Sequence, residues 1–382
     1  MAVRKRGREP IRLFKVVGVQ VDIDYSWLGI FLLLFWSLSA GYFPSNYPGH
    51  PLLMYWIVGF IATLLFFASV LIHELTHAAV GNSLGEHIDR ITLFIFGGMA
   101  HLSGEPSSPD DELKIAAVGP LSSLALALFF WLISNALSLG EASLWTAVFQ
   151  YLAFINLALA LFNLLPGFPL DGGRLLRAAL WKRWGNLQRA TAHAADWGNT
   201  IAWGLIALGA FQVLGGRLVG GLWLIFIGLF LRAAAAGGYQ STVIEQTLEK
   251  IRVGDIMARE PVTLDRDLPV MEAVENYFLK LGHGGFPVVT DGRVVGILSL
   301  TRVSECPRDE RTRKKVGDIM RPLDASIEIS AQATALEAMR KMNEENTRRL
   351  LVVDSSDTLI GLITLTGIAR FVQAKSQLAD ES

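Results

Sequence analysis

Two hydrophobic periodicities divide this chain. Between residues 26 and 236 the apolar residues run almost unbroken, in stretches that are hydrophobic all round rather than on one face. Six of them stand out, over 26–42, 52–80, 113–138, 143–165, 197–214 and 218–236. Each reaches or approaches the roughly 20 residues needed to cross about 30 Å of hydrocarbon, so about six transmembrane helices are expected. The fifth is the weakest, because Asp196, Asn199 and two glycines dilute it. Elsewhere the period changes. Residues 11–24 alternate, with Val19, Val21 and Ile23 set against Gln20, Asp22 and Asp24, and this predicts a strand. Residues 90–96 are rich in β-branched and aromatic types, and Gly97-Gly98 after them permits close backbone approach. A small sheet built from these two segments is expected.

Beyond residue 245 the composition becomes that of a soluble protein, and the pattern repeats. Val253-Gly-Asp-Ile-Met257 returns as Val316-Gly-Asp-Ile-Met320. Gly296-Ile-Leu-Ser-Leu-Thr301 returns as Gly361-Leu-Ile-Thr-Leu-Thr366. Two matched registers mean two copies of one supersecondary unit. Each copy reads as a helix, two apolar strands around a turn, and a further helix start. In the first copy the turn is Asp291-Gly292, a hairpin signal. Residues 303–315 are charged and turn-rich, as a linker would be.

Composition supports the division. Over 382 residues the chain is 52% hydrophobic and only 18% charged, too apolar for an ordinary soluble protein and too charged for a purely membrane one. The net charge of −1 gives no basic field for nucleic acid. A single cysteine, Cys306, excludes an intramolecular disulfide framework. The basic N-terminus is followed by a strand-like segment before any apolar run, so no removable signal peptide is read. Charge also orients the helices. Residues 1–15 hold six Lys/Arg, and Arg174, Arg177, Lys182, Arg183 and Arg189 lie between the fourth and fifth spans. The opposite connections, 43–51, 139–142 and 215–217, hold only Arg217. Positive-inside bias then places both termini, and the repeat, in the cytoplasm of a multi-pass cell-membrane protein.

The chemistry-bearing residues sit inside the apolar runs. His73 and His77, in Leu71-Ile-His-Glu-Leu-Thr-His77, are four apart and share one helical face. That pairing suits zinc, with Glu74 beside it as a proton acceptor. Ionisable groups at membrane depth are costly and face a polar interior or cavity. A catalytic zinc needs a third protein ligand. Asp171, in Asn163-Leu-Leu-Pro-Gly-Phe-Pro-Leu-Asp171-Gly-Gly, is the candidate, and the prolines and glycines from Pro166 to Gly173 argue against regular helix there.

His-Glu-x-x-His in the second span, with Asn-x-x-Pro and Pro-Leu-Asp-Gly-Gly closing the fourth, resembles the site-2 proteases, intramembrane zinc metalloproteases. The resemblance covers about residues 10–236, supported by Gly97-Gly98 and Gly119-Pro120. It implies a metalloprotease domain over 1–240, with one zinc on His73, His77 and Asp171 and Glu74 as general base and acid. It also implies Asn163 near the scissile carbonyl and the Gly97-Gly98 segment holding substrate as an added strand. The substrate would be a transmembrane protein cut in the lipid bilayer. Residues 245–382 resemble a tandem CBS pair, with copies at about 251–305 and 314–373. Such pairs often bind adenosine nucleotides, regulate an attached domain, or associate into homo-oligomers. The aspartate that usually closes the nucleotide motif is replaced by Arg302 and Gly367. The rival expectation is an ion transporter gated by the CBS pair. The fold expected is thus a multi-pass α-helical membrane domain with a small β-sheet, followed by an α/β CBS module.

Overall fold

The computed structural model describes residues 10–86, 88–95, 97–102, 106–137, 143–354 and 358–379. It divides into two compact units, Met1–Thr242 and Val243–Ser382.

The first unit opens with a four-stranded sheet, β1 (Ile11–Val16), β2 (Val19–Ile23), β3 (Ile88–Phe94) and β4 (Gly97–Leu102), in that spatial order. β2 and β3 run parallel, and the outer pairs are antiparallel. The single strand expected over 11–24 is therefore a hairpin. Val17 and Gly18 take φ of 49° and 82° in a two-residue turn, whose positive φ values match the twist of the flanking strands. Strand alternation carries no mark of such a turn when one of its residues is valine. β1 and β4 form the two edges of the sheet. Its inner face, Val19, Ile23, Ile88, Ile91 and Leu93, packs on Ala78 and Leu75, next to the histidine pair.

Among the described residues, six helices are long and apolar enough to cross a membrane. The first comprises α1 (Tyr25–Trp36) and its continuation to Asn46. Asp24 caps it, its carboxylate accepting from the Ser26 amide at 2.9 Å. The others are α2 (Leu52–Ser83), α3 (Pro109–Leu137), α4 (Leu144–Asn163), α6 (Leu187–Leu214) and α7 (Leu218–Glu249). Each of the six expected spans corresponds to one of them; the fourth is shorter than expected over 143–165, since Ser143, Leu164 and Leu165 lie outside the helix, and residue 138 of the third lies outside the described residues. Between α4 and α6 lies a shorter helix, α5 (Asp171–Trp184), ended by Gly185 at φ 66°.

The break between α4 and α5 both starts and ends earlier than the expected Pro166–Gly173. It covers Leu164–Leu170, and Asp171, Gly172 and Gly173 are helical. The glycines serve close packing rather than disruption. A Cβ on Gly172 would strike the Leu164 and Leu165 backbone, and one on Gly173 the Gly167 and Phe168 backbone. Asp171 accordingly stands at the head of a helix, not inside irregular chain.

The second unit holds two four-stranded sheets. The first joins β6 (Leu264–Asp265), β7 (Gly285–Thr290), β8 (Arg293–Ser299) and β9 (Arg321–Pro322). The second joins β10 (Glu328–Ser330), β11 (Arg349–Val353), β12 (Leu359–Thr364) and β5 (Ala258–Arg259). The opening strand of each sequence copy completes the sheet of the other: β5 pairs with β12 and β9 with β8. The cores follow the same exchange. Val253 packs with Ile329, Leu350 and Ile363, whereas Val316 packs with Leu264, Val288 and Leu298.

Candidate metal centre

α2 presents His73 and His77 on one face, and the head of α5 brings Asp171 to them from 94 to 98 residues away in sequence. All three are buried. Asp171 Oδ2 lies 3.1 Å from His73 Nε2 and 3.2 Å from His77 Nε2, and the two Nε2 atoms are 3.3 Å apart. These are the only His/Cys/Asp/Glu groups among the described residues that gather three ligand atoms in this way.

The donor set fits zinc. A tetrahedral centre with metal–ligand distances of about 2.0–2.1 Å has ligand–ligand edges of about 3.3–3.4 Å, close to the three separations found. The other ring nitrogens are occupied. His77 Nδ1 donates to the Ile115 carbonyl at 2.6 Å, and His73 Nδ1 lies 2.9 Å from Ser123 Oγ. A carbonyl can only accept, so the His77 proton sits on Nδ1 and the lone pair of Nε2 faces the cluster. Gly119 leaves the space beside them. A Cβ there would collide with His77 Nε2 and stand 2.7 Å from His73 Nε2.

With this geometry in view, the relatives are decisive. Residues 61–205 match the model of peptidase family M50, and 253–307 and 316–374 match that of the CBS domain. The chain is 36% identical to "putative zinc metalloprotease Rip3" of Mycobacterium tuberculosis over 367 residues, 96% of this chain and 93% of the relative. It is 32% identical to zinc metalloprotease MJ0392 of Methanocaldococcus jannaschii over 376 residues, 97% and 99% of the two chains. The chain belongs to the site-2 protease family, peptidase family M50. Among solved structures, the site-2 protease from Methanocaldococcus jannaschii matches at 29% identity and a TM-score of 0.43, covering 60% of this chain and 94% of that one.

This site-2 protease is thus a membrane zinc metalloprotease with a tandem CBS module, and the transporter alternative falls away. Its remaining sequence-predicted residues take definite places. Glu74, on α2 between the histidines, is half-buried, and Gly98 backs onto it: a Cβ on Gly98 would stand 2.7 Å from Glu74 Cδ. Gly97, at φ 132°, starts the edge strand β4 in a conformation that favours glycine. Asn163 is the last residue of α4, half-buried, where the chain breaks toward Asp171. Asn156, seven residues earlier, is fully buried and donates to Ser69 Oγ at 3.2 Å, bonding α4 to α2.

Several residues of the site escaped the sequence reading. Ser123 and the Ile115 carbonyl face the histidines from α3, and nothing in an apolar span distinguishes one serine or one carbonyl from the next. Gly119 stands out in the sequence only as part of Gly119-Pro120, yet Ser123 follows it by four and shares its face. In the sequence, Arg177 and Arg174 read as topology signals. Both approach Glu112 in the first turn of α3, with Arg177 Nε donating to Glu112 Oε1 at 2.7 Å.

Proposed function

We propose that this protein hydrolyses a peptide bond within or near the transmembrane segment of a membrane-protein substrate. His73, His77 and Asp171 would hold one zinc ion, and Glu74 would move the proton. The observation that carries this is the triangle of 3.1–3.3 Å between three buried ligand atoms, with a glutamate on the same helix turn.

Bound zinc supplies Lewis acidity, which polarises the scissile carbonyl and eases deprotonation of a water. Glu74 accepts the proton from the attacking water and returns it to the leaving amide nitrogen. The Gly98 backbone, lying against Glu74, limits where that carboxylate can point. Asn163 would donate to the charge developing on the carbonyl oxygen; deletion of such a donor costs about 3 kcal/mol in other hydrolases. A helical substrate hides its carbonyls in its own hydrogen bonds, so the segment must be extended to react. Among the described residues β4 pairs with β3 alone, with Gly97 and Gly98 at its start, and an extended segment can pair with its other edge as an added strand.

The CBS module is assigned a regulatory or dimerising role on the cytoplasmic side. The lysine and arginine bias supports that orientation; most of the basic N-terminal tail lies outside the described residues. Arg302 and Gly367 stand in the first turns of helices Leu300–Glu305 and Leu365–Ala379, where the nucleotide-binding pattern would place aspartate. Their presence favours a scaffold over a nucleotide sensor, and calorimetry of the protein with AMP and ATP separates the two: binding heat would assign the sensor.

The central test is Glu74→Gln. Cleavage of a co-expressed membrane substrate should cease while zinc content stays near one per chain. Continued cleavage would remove the proton-transfer role. Asp171→Ala should lose zinc, and full retention would remove the third ligand. Mass spectrometry of membrane proteins shortened by the wild type but not by E74Q would name the substrate.

A further inference from the structure

Zinc ligands on separate helices must be held in register, and Asp171 has an exposed structural weakness: a seven-residue break precedes it. Two ion pairs join α5 to α3, an exposed one between Lys182 and Asp110 and a buried one. Arg177, one and two-thirds turns beyond Asp171, is 4% exposed, and Glu112 is fully buried. The Arg177 guanidinium donates to Glu112 Oε1 through Nε at 2.7 Å and through a terminal nitrogen as well. Arg174 Nε lies 3.9 Å from the same oxygen.

The same guanidinium stands 5.2 Å from the centroid of the Phe168 ring, inside the break. One side chain therefore contacts α3 and the irregular segment while riding on the helix that begins with Asp171. The α3 side of the pair leads directly to the histidines. Ile115 follows Glu112 by three residues, about one turn, and its carbonyl receives the His77 Nδ1 proton. The turn of α3 that anchors Arg177 is thus the turn that orients His77.

We propose that the Arg177–Glu112 pair is a positioning element that sets the separation between Asp171 and the histidine pair. It touches neither substrate nor the reacting atoms and acts through Asp171 and His77. This inference rests on the zinc assignment above. A buried pair broken on one side leaves an uncompensated charge, so the local structure must rearrange around it. Arginine is required for its fork, which reaches carboxylate and ring together; lysine offers a point charge without it.

The test is zinc affinity of the purified full-length protein, by competition with a chelator, and the visible spectrum of the Co²⁺-substituted protein. Arg177→Met should weaken zinc binding about 10- to 100-fold, the range for residues that orient metal ligands, and alter the cobalt spectrum. Arg177→Lys should fall between that variant and the wild type. If R177M gives no folded protein, R177K decides on the same two readouts. Wild-type affinity and spectrum in a folded R177M, or in R177K where that variant decides, would overturn the proposal. Asp171→Ala separates the two levels. If it and the wild type bind zinc alike, the ligand assignment itself fails; if it loses zinc while the Arg177 variants keep it, only the positioning role fails.

Discussion

His77 Nδ1 and the Ile115 carbonyl oxygen are 2.6 Å apart, and through that bond α3 decides which nitrogen of the imidazole faces Asp171. The rest of the α3 face has the same use. Gly119 and Ser123 follow at intervals of four, so one stripe of this helix forms the wall against which both ligands stand. The histidines come from α2, but their orientation comes from its neighbour.

Gly119→Ala tests the wall directly. The new methyl would collide with His77 Nε2 and press on His73 Nε2, and neither ring can retreat while its Nδ1 is bonded. Zinc affinity should drop by about 10- to 100-fold or more. The measurement is zinc per chain after dialysis against a graded chelator series. Wild-type occupancy across that series would show that the rings have room the geometry denies.

Ser123→Ala removes the partner of His73 Nδ1 without adding bulk. Ser123 is fully buried, so water does not readily replace the lost hydroxyl, and the His73 ring loses the hydrogen bond that holds its orientation. Activity should fall about 10-fold or more, with Ser123→Thr retaining more of it than alanine does. Equal rates for the alanine variant and the wild type on one membrane substrate would remove the orienting role.

Gly98→Ala acts on Glu74 alone. Its methyl would stand 2.7 Å from Glu74 Cδ and 3.1 Å from Oε1, displacing the carboxylate. Zinc content should be unchanged, because no ligand is touched, while kcat falls about 10²-fold, the upper end for misplacing an acid–base group by an ångström. A variant that lost zinc instead would show that Gly98 supports the ligands.

These residues also mark how far the sequence could be read. The pairing of His73 with His77 was legible because a helix repeats every 3.6 residues, so spacing alone puts two imidazoles on one face. Asp171 was legible because a carboxylate beside a Pro/Gly-rich stretch in an apolar region is hard to explain otherwise. Its place as the first residue of a helix was not, since Gly172 and Gly173 look like helix breakers until their close backbone neighbours are known. Glu112 and Arg177 were hidden for a different reason. They are 65 residues apart, and a charge near the end of a span reads equally well as a topology signal or as half of a buried pair. The second unit poses the same difficulty. Two copies that share their opening and closing motifs can pair within or across, and sequence alone carries no preference between the arrangements.

The strand exchange in the CBS module makes that last distinction measurable. Gly296 and Gly361 occupy matching places in the two copies, and each gives up its side-chain space to the opening segment of the other. A Cβ on Gly361 would stand 3.1 Å from the Ala258 carbonyl oxygen; one on Gly296 would press on the Arg321 backbone and lie 3.1 Å from Met320 Sδ. Backbone cannot yield as a flexible side chain does, so Gly296→Val, whose Cβ meets the Arg321 carbonyl, should destabilise the module by about 1–3 kcal/mol through overpacking. The second copy's core also takes in Val253 and Leu248, both within 1% of full burial. A fragment ending at residue 310 therefore lacks β9 and Val316 from its own core, and its opening strand has no β12 to join. It should show no cooperative urea transition by circular dichroism, whereas a 243–382 fragment should unfold in a single one. A sharp transition in the shorter fragment would mean that each copy folds on its own strands and that the exchange is dispensable.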